Sequence, residues 1–148
     1  TGLGIGLLRG SPGTYGTLWG IAIACGFAAA GLSGIGWLLA SLLLVLVGVP
    51  ICGRSARVLG RDDPGAVVID EYASFPLSLL LVNVTPVSLV AAFVLFRLFD
   101  ISKPWPIRRL ESFHGGWGIM LDDVAAALIA APLVWCCVEL AALASRAT

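Results

Sequence analysis

Between Gly10 and Gly53 the chain reads GSPGTYGTLWGIAIACGFAAAGLSGIGWLLASLLLVLVGVPICG, a stretch without a single charged residue. About 20 apolar residues cross a bilayer as a helix, so this stretch is too long for one crossing. Its middle, Gly31–Gly36, is rich in glycine and predicts a turn. We therefore predict two membrane helices, at about Thr17–Leu32 and Ile35–Cys52, that fold as a hairpin.

The composition also favours a membrane protein. The chain has 148 residues, of which 59% are hydrophobic and 12% charged, and its mean hydropathy is +0.99. Soluble domains average about 25% charged residues, so an ordinary soluble domain is a poor fit. The formal net charge is zero, which gives no support for a nucleic-acid partner. At this length we expect one membrane-embedded domain that spans residues 1–148.

Three further apolar stretches follow the predicted hairpin. A polar loop, Gly53–Gly65, separates it from an apolar stretch that ends at Val82, and Val87–Phe99 and Val124–Ala144 come next. The first two are short for full crossings and are expected to tilt, to thin the bilayer or to re-enter it. The sequence thus predicts an all-α polytopic bundle with about five membrane segments, one or two of them short or re-entrant. With a cytoplasmic N-terminus, every basic residue except Arg146 then lies on the cytoplasmic side, as the positive-inside rule requires.

The cysteines and the start of the chain say little about function. The four cysteines lie in apolar runs without metal-type spacing, so we expect small packing residues and no disulfide framework. Because the first residue is Thr1 rather than Met, we expect that residues upstream have been removed. The start does not resemble a signal peptide.

Five carboxylates fall at the ends of the predicted helices on the same membrane face. They are Asp70, Glu71, Asp100, Asp122 and Asp123. Charges near lipid are costly and usually functional, and Mg²⁺ prefers oxygen ligands that it shares with a substrate phosphate. Helix capping is the alternative, and it suits Asp122 and Asp123, which immediately precede the last apolar run. It suits Asp100 poorly, because an acid at the C-terminal end of a helix opposes the helix dipole.

Cations cluster beside these acids. Arg97 lies three residues before Asp100, so the two side chains share a helix face and could simply form an ion pair. Lys103 and Arg108 follow the predicted helix end, and Pro104 and Pro106 stiffen the turn between them. We expect these cations to be either membrane anchors or phosphate ligands. The second alternative suits the arginines best, because a guanidinium group can donate two hydrogen bonds to one phosphate.

Two further features are candidates for the same site. His114, the only histidine, precedes two glycines that allow a ligand to approach the backbone, and a histidine can relay protons near neutral pH. Thr14 and Thr17 lie where the first predicted helix begins, and the free N–H groups of such a terminus attract anions. Either threonine could instead be only a helix cap. Beside them, Gly16 and Gly20 form a pair of small residues that would let another helix approach closely.

Four blocks of sequence together resemble the phosphatidylglycerophosphatase A family. They are Ser-Pro-Gly-Thr-Tyr-Gly-Thr within Gly10–Thr17, Val-Ile-Asp-Glu at Val68–Glu71, Phe-Arg-Leu-Phe-Asp-Ile-Ser-Lys-Pro-Trp-Pro-Ile at Phe96–Ile107, and the block His114–Asp123. The resemblance extends from about Gly10 to Ala131, and the last two blocks are the most specific. The segment after Glu71 departs from the family pattern, because Tyr72-Ala73-Ser74 stands where a Phe-Gly type continuation is expected.

The resemblance implies a bacterial, Mg²⁺-dependent phosphatase of the inner membrane. Such an enzyme converts phosphatidylglycerophosphate into phosphatidylglycerol at the cytoplasmic face, and its substrate is a phospholipid in the bilayer. By matching position, the catalytic candidates are Asp70, Glu71, Asp100 and His114; the metal candidates are Asp70, Glu71, Asp100, Asp122 and Asp123; and the substrate-binding candidates are Thr14, Thr17, Arg97, Lys103 and Arg108. The resemblance does not assign the nucleophile, and a phospho-enzyme through Asp70 or Asp100 stays open.

Other functions remain as alternatives. Another membrane phospholipid phosphatase would use the same groups. A transferase acting on CDP-activated lipids also uses aspartates at the membrane face, but its usual Asp-Gly and Ala-Arg signature is missing. A small ion-coupled transporter would need Asp70, Glu71 and Glu139 to form a path at mid-depth, whereas most acids here fall at helix ends.

Overall fold

The computed structural model describes residues 4, 6, 11–60, 65–110, 112–113 and 115–146. All regular secondary structure within these ranges is helical, with six α-helices and one 3-10 helix. The prediction of an all-α fold is therefore confirmed. Arg9, Arg61, Asp62, Asp63 and His114 lie outside the described residues.

The predicted hairpin is present, with different ends. Helix α1 spans Pro12–Ala29 and α2 spans Gly34–Leu59. A proline at the first helical position of α1 is favourable because its missing N–H would have no helical partner. Gly31 turns the chain with φ 72°, and Gly60 ends α2 in the left-handed conformation with φ 65°. Residues 54–59, predicted as part of a loop, are thus the last turns of α2.

The stretch after this hairpin neither crosses the molecule as one helix nor lies on its surface. It forms a short helix α3, Ile69–Ser74, that continues as the 3-10 helix Phe75–Leu79. Phe75, Leu77 and Leu79 are buried, and the carbonyl oxygen of Pro76 accepts a hydrogen bond from Trp37 Nε1 at 2.9 Å. This segment therefore lies inside the bundle, against α1 and α2.

Three helices complete the bundle. Helix α4, Pro86–Ser102, begins with a capping box in which Thr85 and Ser88 satisfy each other's backbone N–H groups. A single turn, α5 (Ile107–Leu110), leads to the long helix α6, Gly116–Arg146. Helix α6 packs against α2, α4 and the 3-10 helix, so it forms the centre of the bundle.

Glycines set the closest approaches between these elements. A Cβ atom at Gly16 would lie 3.0 Å from Glu71 Oε2, and one at Gly20 would lie 2.6 Å from Phe75 Cβ. The expectation that Gly16 and Gly20 admit a close neighbour is confirmed, and that neighbour is the segment of α3 and the 3-10 helix. A Cβ at Gly53 would lie 3.1 Å from the backbone nitrogen of Gly116, which brings the C-terminal half of α2 against the start of α6.

The prediction of about five membrane segments is wrong. Among the described helices, only α2 and α6 are long and apolar enough to cross a membrane, judged by length and composition. Helix α4 has 17 residues, and the stretch from Ile69 to Leu79 is divided between two short helices. Helix α1 has 18 residues, but its first two turns, PGTYGT, are polar and glycine-rich. Alternating apolar and polar stretches predicted more crossings than the helix lengths allow.

Candidate active site

Three carboxylates from two helices meet near one end of the bundle. Asp70 and Glu71 lie in the first turn of α3, and Asp123 lies in the third turn of α6. One ligand atom from each residue falls within 4.8 Å of the others. We call Asp70, Glu71 and Asp123 the three-carboxylate cluster. Because the two segments are more than 50 residues apart in the sequence, only the fold brings these groups together.

Local structure explains how each carboxylate is held. The first turn of a helix favours acidic side chains, because the backbone N–H groups there carry partial positive charge. The buried side chains of Val68 and Ile69 anchor the start of α3 in the core. On α6, Asp123 donates its backbone N–H to Asp122 Oδ1 at 3.0 Å. Asp70 and Asp123 are both buried, with 8% and 3% of their surface exposed.

The cluster contains polar atoms that the described part of the chain leaves unsatisfied. Glu71 Oε2 and Asp123 Oδ2 are buried and have no hydrogen-bond partner there. Most buried polar atoms are hydrogen-bonded, so these two oxygens are free to accept a ligand. Three close carboxylates with unsatisfied oxygens suit a hard cation that takes oxygen ligands.

The pKa of Glu71 shows that burying these carboxylates close together is unfavourable for their charged forms. Its pKa is raised to about 7, chiefly by burial and in addition by the charge of Asp100, whereas a hydrogen bond with Asp70 and the charge of Arg97 lower it. The ionised form of Glu71 is therefore less stable in the folded protein than in water. A cation bound at the cluster would remove this cost.

Arg97 joins Asp100 to the cluster. Its Nη1 forms an ion pair with Asp100 and lies 4.0 Å from Glu71 Oε1. A Cβ atom at Gly13 would lie 2.6 Å from this same Nη1. Pairing with Asp100, the simpler of the two expectations for Arg97, is thus observed, but the guanidinium also lies between the cluster and the start of α1. Asp100 itself is not a member of the three-carboxylate cluster.

Lys103 and Asp122 form a second ion pair at the same end of the molecule. Lys103 Nζ lies 2.6 Å from Asp122 Oδ2, so the end of α4 is tied to α6. Lys103 has φ 40°, a left-handed conformation that is uncommon for a residue other than glycine. Asp122 was expected at the start of the last helix, but α6 begins at Gly116, so Asp122 and Asp123 point from its second and third turns.

Comparison with known proteins gives the family. The family model for phosphatidylglycerophosphatase A matches residues 1–138. The chain belongs to the phosphatidylglycerophosphatase A family. An Escherichia coli protein named phosphatidylglycerophosphatase A is 37% identical over 139 residues, which cover 90% of this chain and 78% of that protein. A Haemophilus influenzae protein of the same name is 37% identical over 139 residues, with 90% and 83% covered.

A third relative has a different name. This Bacteroides thetaiotaomicron protein, provisionally named phosphatidylinositol-3-phosphatase, is 38% identical over 133 residues, which cover 85% of this chain and 82% of that protein. No solved structure matches the chain significantly. The chain is thus a phosphatase of the phosphatidylglycerophosphatase A family, and the resemblance noted in the sequence is confirmed.

The remaining site predictions are distributed around the cluster. Thr17 is buried, and its hydroxyl donates to the carbonyl of Gly13 at 2.8 Å within α1. Thr14 donates to Ser11 Oγ at 2.8 Å at the start of the same helix. Arg108 is exposed on α5, and its side chain has no ion pair with any described residue. The catalytic role expected of His114 stays a prediction, because His114 lies outside the described residues.

In this member of the phosphatidylglycerophosphatase A family, Gly13 has a role that the sequence pattern alone did not predict. The absence of a side chain at Gly13 leaves room for Glu71 and Arg97 against α1. The available signal was the spacing of Gly13, Gly16 and Gly20, which places all three on one side of a helix. Only Gly16 and Gly20 were interpreted in this way, and only as a packing surface.

Proposed function

We propose that this chain hydrolyses the terminal phosphate of phosphatidylglycerophosphate to give phosphatidylglycerol, with Mg²⁺ as cofactor. The observation that carries the proposal is the three-carboxylate cluster, whose ligand atoms lie within 4.8 Å of one another beside a guanidinium group. The names of the Escherichia coli and Haemophilus influenzae relatives support this substrate.

Asp70, Glu71 and Asp123 would hold the cation. The fit is supported by the buried, unsatisfied oxygens of Glu71 and Asp123 and by the preference of Mg²⁺ for carboxylate ligands. When bound, Mg²⁺ would supply positive charge to the phosphoryl oxygens. Asp122 is engaged with Lys103, and Asp100 with Arg97, so these two acids would support the site through the cations that they orient.

The protein's own cations would bind the substrate phosphate. Arg97 borders the cluster, and its planar fork can donate two hydrogen bonds to one phosphate. Asp100 holds that fork in place from the next turn of α4. Phosphoryl transfer depends mainly on positioning and on charge neutralisation, so a fixed guanidinium is the contribution expected of the protein. Arg108, on the exposed face of α5, would meet the head group as it arrives.

We propose that the site faces the cytoplasm from the inner membrane. Arg54, Arg57, Lys103, Arg108 and Arg109 all lie at or near the end of the bundle that holds the cluster, whereas Arg146 lies at the far end of α6. Such a distribution agrees with the positive-inside rule. The diacyl part of the substrate would stay in the bilayer, so only its head group would need to reach the cluster.

The test is phosphate release from phosphatidylglycerophosphate in mixed micelles. We expect activity with Mg²⁺, and its loss in chelator followed by recovery when Mg²⁺ is added back. We expect Asp123→Asn to lower the affinity for Mg²⁺ by more than about 100-fold, because even residues that only support metal ligands contribute 10–100-fold. Undiminished release in chelator would exclude the metal, and full activity of Asp100→Asn would remove Asp100 from the site.

A matched variant tests whether the effect of Asp123→Asn comes from losing a metal ligand or only from losing a negative charge nearby. Asp122→Asn removes the neighbouring acid on α6, whose side chain pairs with Lys103 and does not belong to the three-carboxylate cluster. We expect Asp122→Asn to retain the Mg²⁺ concentration that gives half-maximal activity to within about tenfold, below the 10–100-fold range of residues that support ligands. Equal loss of Mg²⁺ affinity in both variants would contradict the assignment of Asp123 alone to the cluster.

Hydrolysis of a phosphoinositide is the second candidate. It is favoured by the name of the Bacteroides thetaiotaomicron relative. Both lipids present a phosphomonoester on a polyol head group, so the three-carboxylate cluster does not distinguish them. Parallel assays with phosphatidylglycerophosphate, phosphatidylinositol 3-phosphate and phosphatidic acid decide: the substrate with the highest kcat/KM is the one assigned.

A further inference from the structure

A cavity lies at the opposite end of the bundle from the three-carboxylate cluster. It is an open cavity with a volume of about 630 Å³, bordered by the α1–α2 turn, the segment 79–85 and the last third of α6. Its lining is mixed: apolar side chains such as Leu79, Val82 and Val138 alternate with polar groups, and the polar and aromatic side chains are Ser33, Trp37, Asn83, Thr85, Trp135 and Glu139. Ligand sites in proteins have this size and combine apolar side chains with polar groups that orient the ligand.

Glu139 is the one acid among the described residues that line this cavity. Its carboxylate forms no hydrogen bond and no ion pair with the described residues. Trp135 precedes it by one helical turn, so the indole and the carboxylate lie on the same face of α6. About half of the surface of Trp135 is exposed. An unpaired carboxylate beside an open aromatic face is a combination that attracts an ammonium group.

The rest of the wall is rigid. Trp37 is buried, donates its indole N–H to the Pro76 carbonyl at 2.9 Å and packs edge-on against Phe27, with 5.4 Å between ring centres. Thr85 is occupied in the cap of α4. The Trp37 and Thr85 side chains are therefore held in place by contacts within the bundle.

The depth of the cavity matches a lipid head group. Glu139 lies 16 residues after Asp123, the cluster residue on α6, which corresponds to about 24 Å along the helix. The hydrocarbon core of a bilayer is about 30 Å thick. If α6 crosses the membrane with the cluster at one surface, as the proposed function requires, Glu139 lies within about 6 Å of the other boundary of that core, near the head groups of the opposite leaflet.

We propose that this cavity binds the head group of an aminophospholipid from the opposite leaflet, with its ammonium group between Glu139 and Trp135. The apolar walls formed by Leu79, Val82 and Val138 would contact the upper part of the acyl chains. The single negative charge selects a primary ammonium over a purely anionic head group. This site is separate from the phosphatase site, and only its position in the membrane rests on the proposed function.

The test is lipid binding to the detergent-purified full chain by native mass spectrometry. Phosphatidylethanolamine and phosphatidylglycerol with identical acyl chains are compared. We expect phosphatidylethanolamine to bind about fivefold more tightly, the combined contribution of one exposed ion pair and one cation–π contact. Glu139→Gln should abolish the preference, and Trp135→Leu should reduce it.

The controls separate this site from others. Arg146→Gln changes one charge two turns further along α6 and should keep the preference. Phosphatidylglycerophosphate hydrolysis should be unchanged in Glu139→Gln, which also verifies its fold. Equal binding of the two lipids to the wild type, or an unchanged preference in Glu139→Gln, would overturn the proposal. Displacement of the lipid by millimolar free ethanolamine would assign the cavity to a soluble amine and overturn the lipid assignment.

Discussion

Among single residues, Glu71 shows a conflict between burial and charge that falls within an accessible pH range. Its pKa is raised to about 7, first of all by burial. At a pH between its ordinary value of 4.5 and about 7, the folded protein therefore holds a proton that the unfolded chain has released. In the absence of a cation, this residue lowers the free energy of unfolding progressively as the pH rises from about 4.5 to about 7. Above that range the loss is complete and constant.

Glu71→Gln should remove this loss. In chelator at pH 8, we expect the variant to be more stable than the wild type by roughly 1–3 kcal/mol, because residue 71 then buries no negative charge. In Mg²⁺ the order should reverse, because glutamine is a poorer ligand. The measurement is the melting temperature in detergent between pH 5 and 8, with Glu139→Gln as the exposed control. Identical pH profiles of Glu71→Gln and wild type would contradict this account.

The pair of Lys103 and Asp122 makes a different prediction at the residue scale. The Asp122 side chain is 6% exposed and that of Lys103 is 24% exposed, so Lys103→Met leaves a largely buried carboxylate without this cation. We expect a loss of roughly 2 kcal/mol, below the 3–5 kcal/mol of a fully buried pair. Asp122→Asn keeps an oxygen to accept the N–H of Asp123.

A double-mutant cycle isolates this interaction. We expect the double variant, Lys103→Met with Asp122→Asn, to lose less stability than the sum of the single variants, by about 1 kcal/mol. The free energies come from urea unfolding in detergent. Strict additivity would show that the two side chains do not stabilise each other and that the ion pair is incidental.

Among the helices, α1 leaves room for the site because Gly13 has no side chain. In Gly13→Ala the new methyl group would meet the side chains of both Glu71 and Arg97. Arg97 would have to move away from the cluster, so we expect kcat/KM to fall by at least about tenfold, since misplacement by about 1 Å can cost 100-fold. Gly26→Ala is the matched control on the same helix, because no atom lies within 4 Å of its new methyl group.

The two variants should also differ in stability. Gly26→Ala should raise the free energy of unfolding by about 0.5–1 kcal/mol through helix propensity and leave activity unchanged. Gly13→Ala should lose activity at a melting temperature close to that of the wild type. A fully active Gly13→Ala would show that Arg97 can shift without consequence, and that Gly13 is not needed to position it.

The ends of the helices show what sequence patterns can and cannot predict. The charge-free stretch and its central glycines predicted the hairpin of α1 and α2 correctly. Hydropathy ended α2 at Cys52, but the helix continues through Arg54 and Arg57, because charged residues at a helix end cost little helical stability. The pattern also predicts a loop for the start of α6, which contains two glycines and two aspartates, although Gly116–Asp123 is helical.

At the scale of the whole molecule, the gathering of acids at one end was predictable and their pairing was not. The membership of Asp70, Glu71 and Asp123 in one cluster depends on how α3 packs against α6, which is a contact between distant segments. Likewise, Asp122 and Asp123 are adjacent in the sequence yet have different partners, because successive residues of a helix point about 100° apart. The predicted number of membrane segments was wrong because an apolar segment can be buried either in protein or in lipid, and hydropathy does not distinguish the two. The 3-10 helix Phe75–Leu79 is such a segment, and it is buried in protein.

The orientation of the bundle gives a prediction that tests the whole arrangement. Arg109 is exposed at the end that holds the cluster, and Arg146 is exposed at the far end of α6. In a background with all four cysteines replaced by alanine, Arg109→Cys should react with a membrane-impermeant maleimide in inverted inner-membrane vesicles but not in right-side-out vesicles. Arg146→Cys should show the opposite pattern, because α6 is long enough to span the bilayer. Phosphatase activity of both variants is the control for folding. Labelling of both from the same side would mean that α6 does not cross. A reversed pattern would place the cluster on the outer face and contradict the proposed orientation.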